Sequence, residues 1–250
     1  MMRTICVCRA EVTAESEESL FDALRSHCDE VHAELGITDD QVRRNLAMMA
    51  RMTPWDGLPR PLPGPVEVHP LTPGREADFL KYFDQDAFTD NPGWAGCYCF
   101  YYRFDGGQER WNTRTAEENR SAQAAAIAAG EASGFLAYSD GAVVGWCHAA
   151  PRGDLPLLDT GVTTEGSDRV AAIVCFNVKP AHRGQGVAQS LLTAACEGMA
   201  IRGFNVLEAY PLENPKDAGQ AYHGPLSMFL GSGFERVGRQ GHYLVVRKRM

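Results

Sequence analysis

Residues 174–195, VCFNVKPAHRGQGVAQSLLTAA, are the segment that most restricts what this chain can become. The run leading into it, VAAIVCFNV at 170–178, is continuously apolar and β-branched, which predicts a strand buried on both faces. Pro180 ends the strand, Arg183-Gly184-Gln185-Gly186 forms a glycine-bearing loop, and an apolar helix begins near Val187. Successive backbone N–H groups, freed of side-chain bulk at the glycines, then converge beside the positive end of a helix. The segment therefore predicts an anion cradle, and a diphosphate is its natural guest.

The surrounding elements follow from periodicity. From about Val66 the chain reads β-α-α-β-β-β-α-β-α-β-β. VEVHPL predicts a short strand, and Thr72 precedes an amphipathic helix with Phe79, Leu80 and Phe83. Thr115 and Glu118 form a capping box before an alanine-rich helix. GFLAYSDGAVVGWCHA predicts a hairpin that turns at Asp140-Gly141. After the cradle, a helix runs through Leu191, Leu192, Ala195 and Met199 to Arg202-Gly203. FNVLEAYPL is the next strand, YHGPLSMFLGSGF a short helix, and FERVGRQGHYLVVRKR a closing hairpin.

Upstream, the stretch TPWDGLPRPLPGP at 53–65 breaks the pattern, because proline fixes φ and removes a donor. The expected division is a small appendage at 1–52, a linker at 53–65 and a main domain at 66–250. In the appendage a strand is expected around Thr4–Val12, followed by two helices. Ser16 caps the first, with Glu17 and Glu18 at its positive end and Leu20, Leu24, Val31 and Leu35 at helical spacing up to Gly36. Thr38 and Gln41 box the second, which continues through Val42 and Leu46. So small a piece is not robust alone, and is expected to pack on the main domain or to make a homodimer contact.

Charge excludes some partners. The chain carries 24 lysines and arginines against 32 acids, net −8, with lysine only at 81, 179, 216 and 248. Such a surface offers nucleic acid no phosphate footprint. No apolar run approaches the roughly 20 residues that span a bilayer. The opening MMRTICVCRAEVTAESEES turns acidic before a secretory core forms, so the expected location is cytoplasmic. Eight cysteines in this setting predict reduced, buried thiols. Cys6, Cys8, Cys28 and His32 offer four soft ligands, but the paired C-x-x-C knuckles of strong zinc sites are absent, and no metal is expected.

Nucleotide motifs can be tested against the cradle. A G-x-G-x-x-G fingerprint starting at Gly184 meets Gln189 where its third glycine belongs, and the Gly-Lys-Ser/Thr ending of a P-loop is absent. The pattern R/Q-x-x-G-x-G/A does match, at Arg183, Gly186 and Ala188, with Val178-Lys179-Pro180 before it and Gly233-Phe234 after the last helix. In this strand–loop–helix context the sequence resembles the GNAT superfamily of acyl-CoA-dependent N-acyltransferases over about residues 66–250.

The resemblance implies an α/β GNAT fold, a mixed central sheet splayed at the cofactor site, with the small, mainly helical appendage added. It implies an acetyl group moved from acetyl-CoA to the amine of a small molecule by direct transfer in a ternary complex. Main-chain groups near Phe176 and Val178 would hold the pantetheine arm and the oxyanion. The amides of Arg183, Gly184, Gln185, Gly186, Val187 and Ala188 would hold the pyrophosphate. Aligned on Gly233-Phe234, the family's thiolate-protonating tyrosine position is Phe229 here, so the usual acid is missing and Tyr222 and Ser227 stand close by as substitutes.

Three further candidates have two readings each. Glu208 shares a strand face with Val206 and Tyr210, either as proton acceptor or cation anchor, or as a paired structural carboxylate. His148 either relays a proton at the acceptor cleft or is a hydrogen-bonded core residue. Trp94 and Tyr98, in the aromatic stretch DNPGWAGCYCFYYRF, either hold an ammonium ion or pack as core. Acyl transfer through Cys97, Cys99 or Cys175 finds no base partner in the sequence. Two other functions remain open: a CoA-binding sensor without turnover, motivated by Phe229, and protein acetylation with the appendage recruiting a partner.

Overall fold

The structure, a computed structural model, describes residues 2–5, 11–33, 37–43, 46, 66–158, 169–215 and 219–250. The chain divides into two compact units, Met1–Arg60 and Pro61–Met250. The expected linker at 53–65, and Cys6, Cys8, Leu35 and Gly36, lie outside the described residues.

In the first unit, β1 (Met2–Ile5) and β2 (Glu11–Ala14) pair antiparallel, in place of the one strand expected over Thr4–Val12. A lone strand leaves its backbone groups unpaired, and self-pairing satisfies them. Helix α1 (Glu17–Val31) starts at a capping box in which the Ser16 hydroxyl accepts from the Ser19 N–H at 3.2 Å and the Ser19 hydroxyl accepts from the Ser16 N–H at 3.0 Å. The Thr38–Gln41 box also forms, with the Thr38 N–H donating to Gln41 Oε1 at 2.7 Å. Leu20, Leu24, Cys28, Val42 and Leu46 bury one small core.

The second unit is a seven-stranded mixed sheet in the order β3-β4-β5-β6-β7-β9-β8. Its strands are β3 (Glu67–Pro70), β4 (Phe135–Ser139), β5 (Ala142–Pro151), β6 (Val170–Val178), β7 (Val206–Ala209), β8 (Glu235–Gln240) and β9 (Tyr243–Arg249). The hairpin turn falls at Asp140 and Gly141, both at positive φ (49° and 72°). The helices are α2 (Glu76–Gln85), α3 (Gly107–Trp111), α4 (Ala116–Ala128), α5 (Val187–Ile201) and α6 (Leu226–Gly231). Thr115 and Glu118 box α4 reciprocally, whereas Thr72 heads only a short 3-10 turn and makes no side-chain cap. Alternation sorts the side chains: Phe135 and Cys147 face α5 with Leu191, Leu192 and Met199, and Leu136 and Trp146 face α2 and α4 with Phe79, Phe83 and Ile127.

The sheet opens at one place. β6 and β7, the parallel pair, stay in register only from Val170↔Val206 to Ile173↔Ala209. On the other side of β6, His148 pairs Cys175 and Ala149 pairs Ile173, so Val174 is the extra residue of a bulge. A bulge bends its strand. Beyond it, 175–178 keep β5 as a neighbour and have no strand on the β7 side.

Candidate active site

A cavity of about 1050 Å³ is lined by Cys175, Phe176, Asn177 and Val178, the stretch of β6 that has parted from β7. Arg183 and Ala188 bring the glycine loop to the same cavity. Gly184 and Gly186 hold φ of 72° and 85°, the left-handed conformation that side chains resist. In this conformation the amides of 184–189 have no hydrogen-bond acceptor among the described residues. A row of unanswered N–H groups at a helix start is what a diphosphate requires. Arg183 fastens the loop, its Nε donating to the Val178 carbonyl at 2.9 Å and its fork gripping Asp90 from both nitrogens. The guanidinium holds the Asp90 carboxyl below its ordinary range.

The opposite wall comes from residues 87–119. Turns at Pro92–Cys97 and Tyr101–Arg103 flank Tyr98 and Cys99, both at positive φ (47° and 52°). Left-handed backbone at such residues costs about 1–2 kcal/mol each. The segment is held by the Tyr98 hydroxyl donating to Asp84 at 2.7 Å, and Asp84 is paired with Arg120 at 2.9 Å. Asn177 ties this wall to β6, accepting from the Tyr82 hydroxyl and donating to the Ala87 carbonyl, both at 2.6 Å.

Hydroxyls meet at the cavity. The Tyr222 hydroxyl lies 3.3 Å from that of Tyr102 and 3.5 Å from that of Tyr243. His223 Nε2 is 3.2 Å from the Tyr102 hydroxyl. Burial raises the Tyr102 and Tyr222 hydroxyls above the ordinary tyrosine value, so both stay protonated donors. Burial also pushes the His223 imidazole down to about 3, which keeps it neutral.

The sequence of residues 83–223, more than half of the chain, matches the family model described as Acetyltransferase (GNAT) family. The chain belongs to the GNAT family. As a GNAT acetyltransferase it acts with acetyl-CoA as co-substrate. Solved structures of acetyltransferases are similar to the chain at low identity. The PaiA N-acetyltransferase of Thermoplasma acidophilum, in complex with coenzyme A, is 12% identical, with 75% of this chain and 100% of that one covered and a TM-score of 0.44. The GNAT domain of S. lividans PAT is 19% identical over 75% and 92%, TM-score 0.46. A Drosophila melanogaster polyamine N-acetyltransferase is 11% identical over 74% and 100%, TM-score 0.46. Comparison with curated protein sequences gave no match.

The GNAT cavity gathers some of the residues expected from sequence and leaves others out. Phe176, Val178, Arg183 and Ala188 line it, as do Trp94 and Tyr222, whose rings meet edge-on at 5.2 Å. Gly184, Gln185 and Gly186 form the cradle loop, and Val187 anchors it in the core. Phe229 is fully buried against Phe176 and Phe234, behind the lining. Tyr98 turns its hydroxyl to Asp84, away from the lining set. His148 is buried behind Cys99, its Nδ1 3.6 Å from the Cys99 sulfur, and its Nε2 has no partner among the described residues. Ser227 is exposed on the first turn of α6 and lines nothing. Glu208 does not line the cavity either. Its fully buried carboxylate is met by Arg152 at 3.0 Å, Arg247 at 3.3 Å and the Tyr210 hydroxyl at 3.3 Å.

Tyr102, Tyr243 and Asn177 join the site without having been singled out as site residues from sequence. The aromatic density of 94–104 was the only signal for Tyr102, and nothing local marks the other two. Among the described residues no group of three or more His, Cys, Asp or Glu is placed to hold a metal, and no helix is long and apolar enough to cross a membrane.

His223 makes the fold acid-sensitive. Its folded value of about 3 lies below the ordinary histidine value, so between the two the unfolded chain binds the extra proton. Stability from this group is complete above about pH 6.5 and is lost as pH falls toward 3. Urea unfolding from pH 7 to 4.5 should show stability falling with pH. His223→Gln should flatten that slope, and an unchanged slope rules the assignment out.

Proposed function

We propose that the protein is an N-acetyltransferase that moves the acetyl group of acetyl-CoA directly to the amine of a small molecule. The observation that carries this reading is one cavity lined both by Arg183 and Ala188, which flank the glycine loop, and by the aromatic rings of Trp94, Tyr101, Tyr102, Trp111 and Tyr222. Acetyl-CoA supplies an activated thioester. The amides of 184–189 bind its diphosphate, and the unpaired edge of 175–178 orients the pantetheine arm and offers an N–H to the developing oxyanion. With Phe229 lacking a hydroxyl, the Tyr222 hydroxyl donates to the departing sulfur, and Tyr102 and Tyr243 hold it in place. Ser227, exposed, and Glu208, paired to two arginines, have no part in this mechanism.

The first test is a thermal shift with acetyl-CoA, with free adenine nucleotides as controls. Ligand at about 100 times its dissociation constant adds roughly 2.7 kcal/mol. A selective rise followed by thiol release with an amine panel supports the reading; the absence of any selective rise rejects it. Tyr222→Phe should then lower kcat about 100-fold with little change in acetyl-CoA affinity. An undiminished kcat would move the donor elsewhere.

A further inference from the structure

We infer that the acceptor is an aromatic α-amino acid, with Arg114 binding its carboxylate; this rests on the acetyltransferase reading above. The shape of the acceptor end is set by rings. Trp94 and Tyr222 meet edge-on at 5.2 Å, and Tyr101 packs edge-on against Tyr102 at 4.9 Å and Trp111 at 5.1 Å. All five line the cavity. Flat walls at right angles accept a flat apolar body. Burial raises the Cys97 thiol to about 12 and the Cys99 thiol well above its ordinary value, so neither contributes charge.

The charges in the lining are unequal. Among the described lining residues the acid is Asp90, and both its oxygens are held by Arg183. Arg183 is thereby satisfied, with its Nε on the Val178 carbonyl. Arg114 is different. Its guanidinium lies over Phe104, 4.7 Å from the ring centroid, with Nε donating to Asn119 at 2.6 Å and Nη2 to the Glu118 carbonyl at 2.9 Å. Those contacts fix the plane without a hydrogen bond to a carboxylate: the exposed Glu118 carboxylate feels the Arg114 charge but is bonded to Thr115, and Nη1 has no hydrogen-bond partner among the described residues. A guanidinium held in plane with one N–H edge free selects an anion, carboxylate above all. A polyamine, with several positive charges, meets no free acid among these residues.

The proton balance points the same way. The reacting amine must be neutral, and among the described residues no free carboxylate lines the cavity to take its proton. His223, at about 3, is too weak a base. An alkyl ammonium of pKa about 10.4 is neutral in roughly one molecule in 2,500 at pH 7, whereas an α-amine with no adjacent negative charge, near 8 as at a peptide N-terminus, is neutral in about one in ten. Pairing the amino acid's carboxylate with Arg114 removes the negative field that would otherwise raise that amine. During transfer the amine nitrogen forms the amide bond and gives its proton to water, the carbon–sulfur bond breaks, the sulfur takes the Tyr222 proton and departs as CoA thiol, and water reprotonates Tyr222.

The experiment compares kcat/KM by thiol release for phenylalanine, phenylalanine amide, phenethylamine and spermidine. The free acid should exceed the amide at least tenfold, and both should exceed phenethylamine and spermidine. Arg114→Met should collapse the acid-to-amide ratio toward one, chiefly through KM of the acid. Arg114→Lys, which keeps the charge and loses the fork, should give an intermediate ratio and serves if the methionine variant fails to fold. An amide equal to the acid, or spermidine as the best acceptor, overturns the inference while leaving the acetyltransferase reading intact. Absence of acetyl-CoA binding overturns both.

Discussion

Gly186→Val should weaken acetyl-CoA binding by at least about 100-fold, close to 2.7 kcal/mol, while the protein stays folded. Gly186 sits at φ 85° as the residue before α5, and a Cβ built there meets nothing within 4 Å. The substitution therefore produces no clash inside the protein. Its cost is backbone strain, about 1–2 kcal/mol for a left-handed non-glycine residue and more for a β-branched one. Relief of that strain swings the loop out of the conformation in which the amides of 184–189 point away from internal acceptors. Titration calorimetry with acetyl-CoA and a thermal melt check both effects: a melting point lowered by roughly 5 °C and a lost affinity are expected. A folded variant with unchanged affinity would show that the loop does not hold the diphosphate.

Glu208→Ala should be the most damaging substitution to stability in the central sheet. The carboxylate is fully buried, and Arg247 reaches it from the neighbouring β9 while Arg152, just after β5, reaches it from two strands away across β6. Those arginine side chains are only 25% and 17% exposed, so neither recovers full hydration when the acid is removed. Breaking a buried pair from one side costs about 3–5 kcal/mol, which in a domain of this size lowers the melting point by roughly 10 °C. Glu208→Gln, which keeps the volume and one acceptor, should cost less. Turnover of the folded fraction should fall only a few-fold. A thousandfold loss of kcat at unchanged stability would instead return Glu208 to the role of proton acceptor.

Much of the fold was legible because local rules and tertiary packing agree. The cap at Ser16, the capping boxes at Thr38 and Thr115, the Asp140-Gly141 turn and the apolar run of β6 are decided within a few residues, and each forms. The cradle was legible for the same reason: glycine at 184 and 186 and a helix start at Val187 determine where the amides point. Local signals were weaker at the start of α2, where Thr72 makes no cap, and in the first unit, where one expected strand is a pair.

By itself, then, the sequence determined the order of elements, the two-faced core and the position of the glycine loop before α5, since these depend on periodicity and on φ at particular residues. Only the tertiary structure decided which polar groups meet. Glu208 alternates with apolar neighbours in β7 in the way a functional carboxylate would, and its neutralisation by Arg152 and Arg247 appears only once β5, β6, β7 and β9 lie side by side. The same holds for Tyr222, joined to Tyr102 across 120 positions of sequence, and for Arg114, whose free Nη1 edge is a property of its surroundings. Charge pairing and desolvation act through space, and no spacing along the chain encodes them.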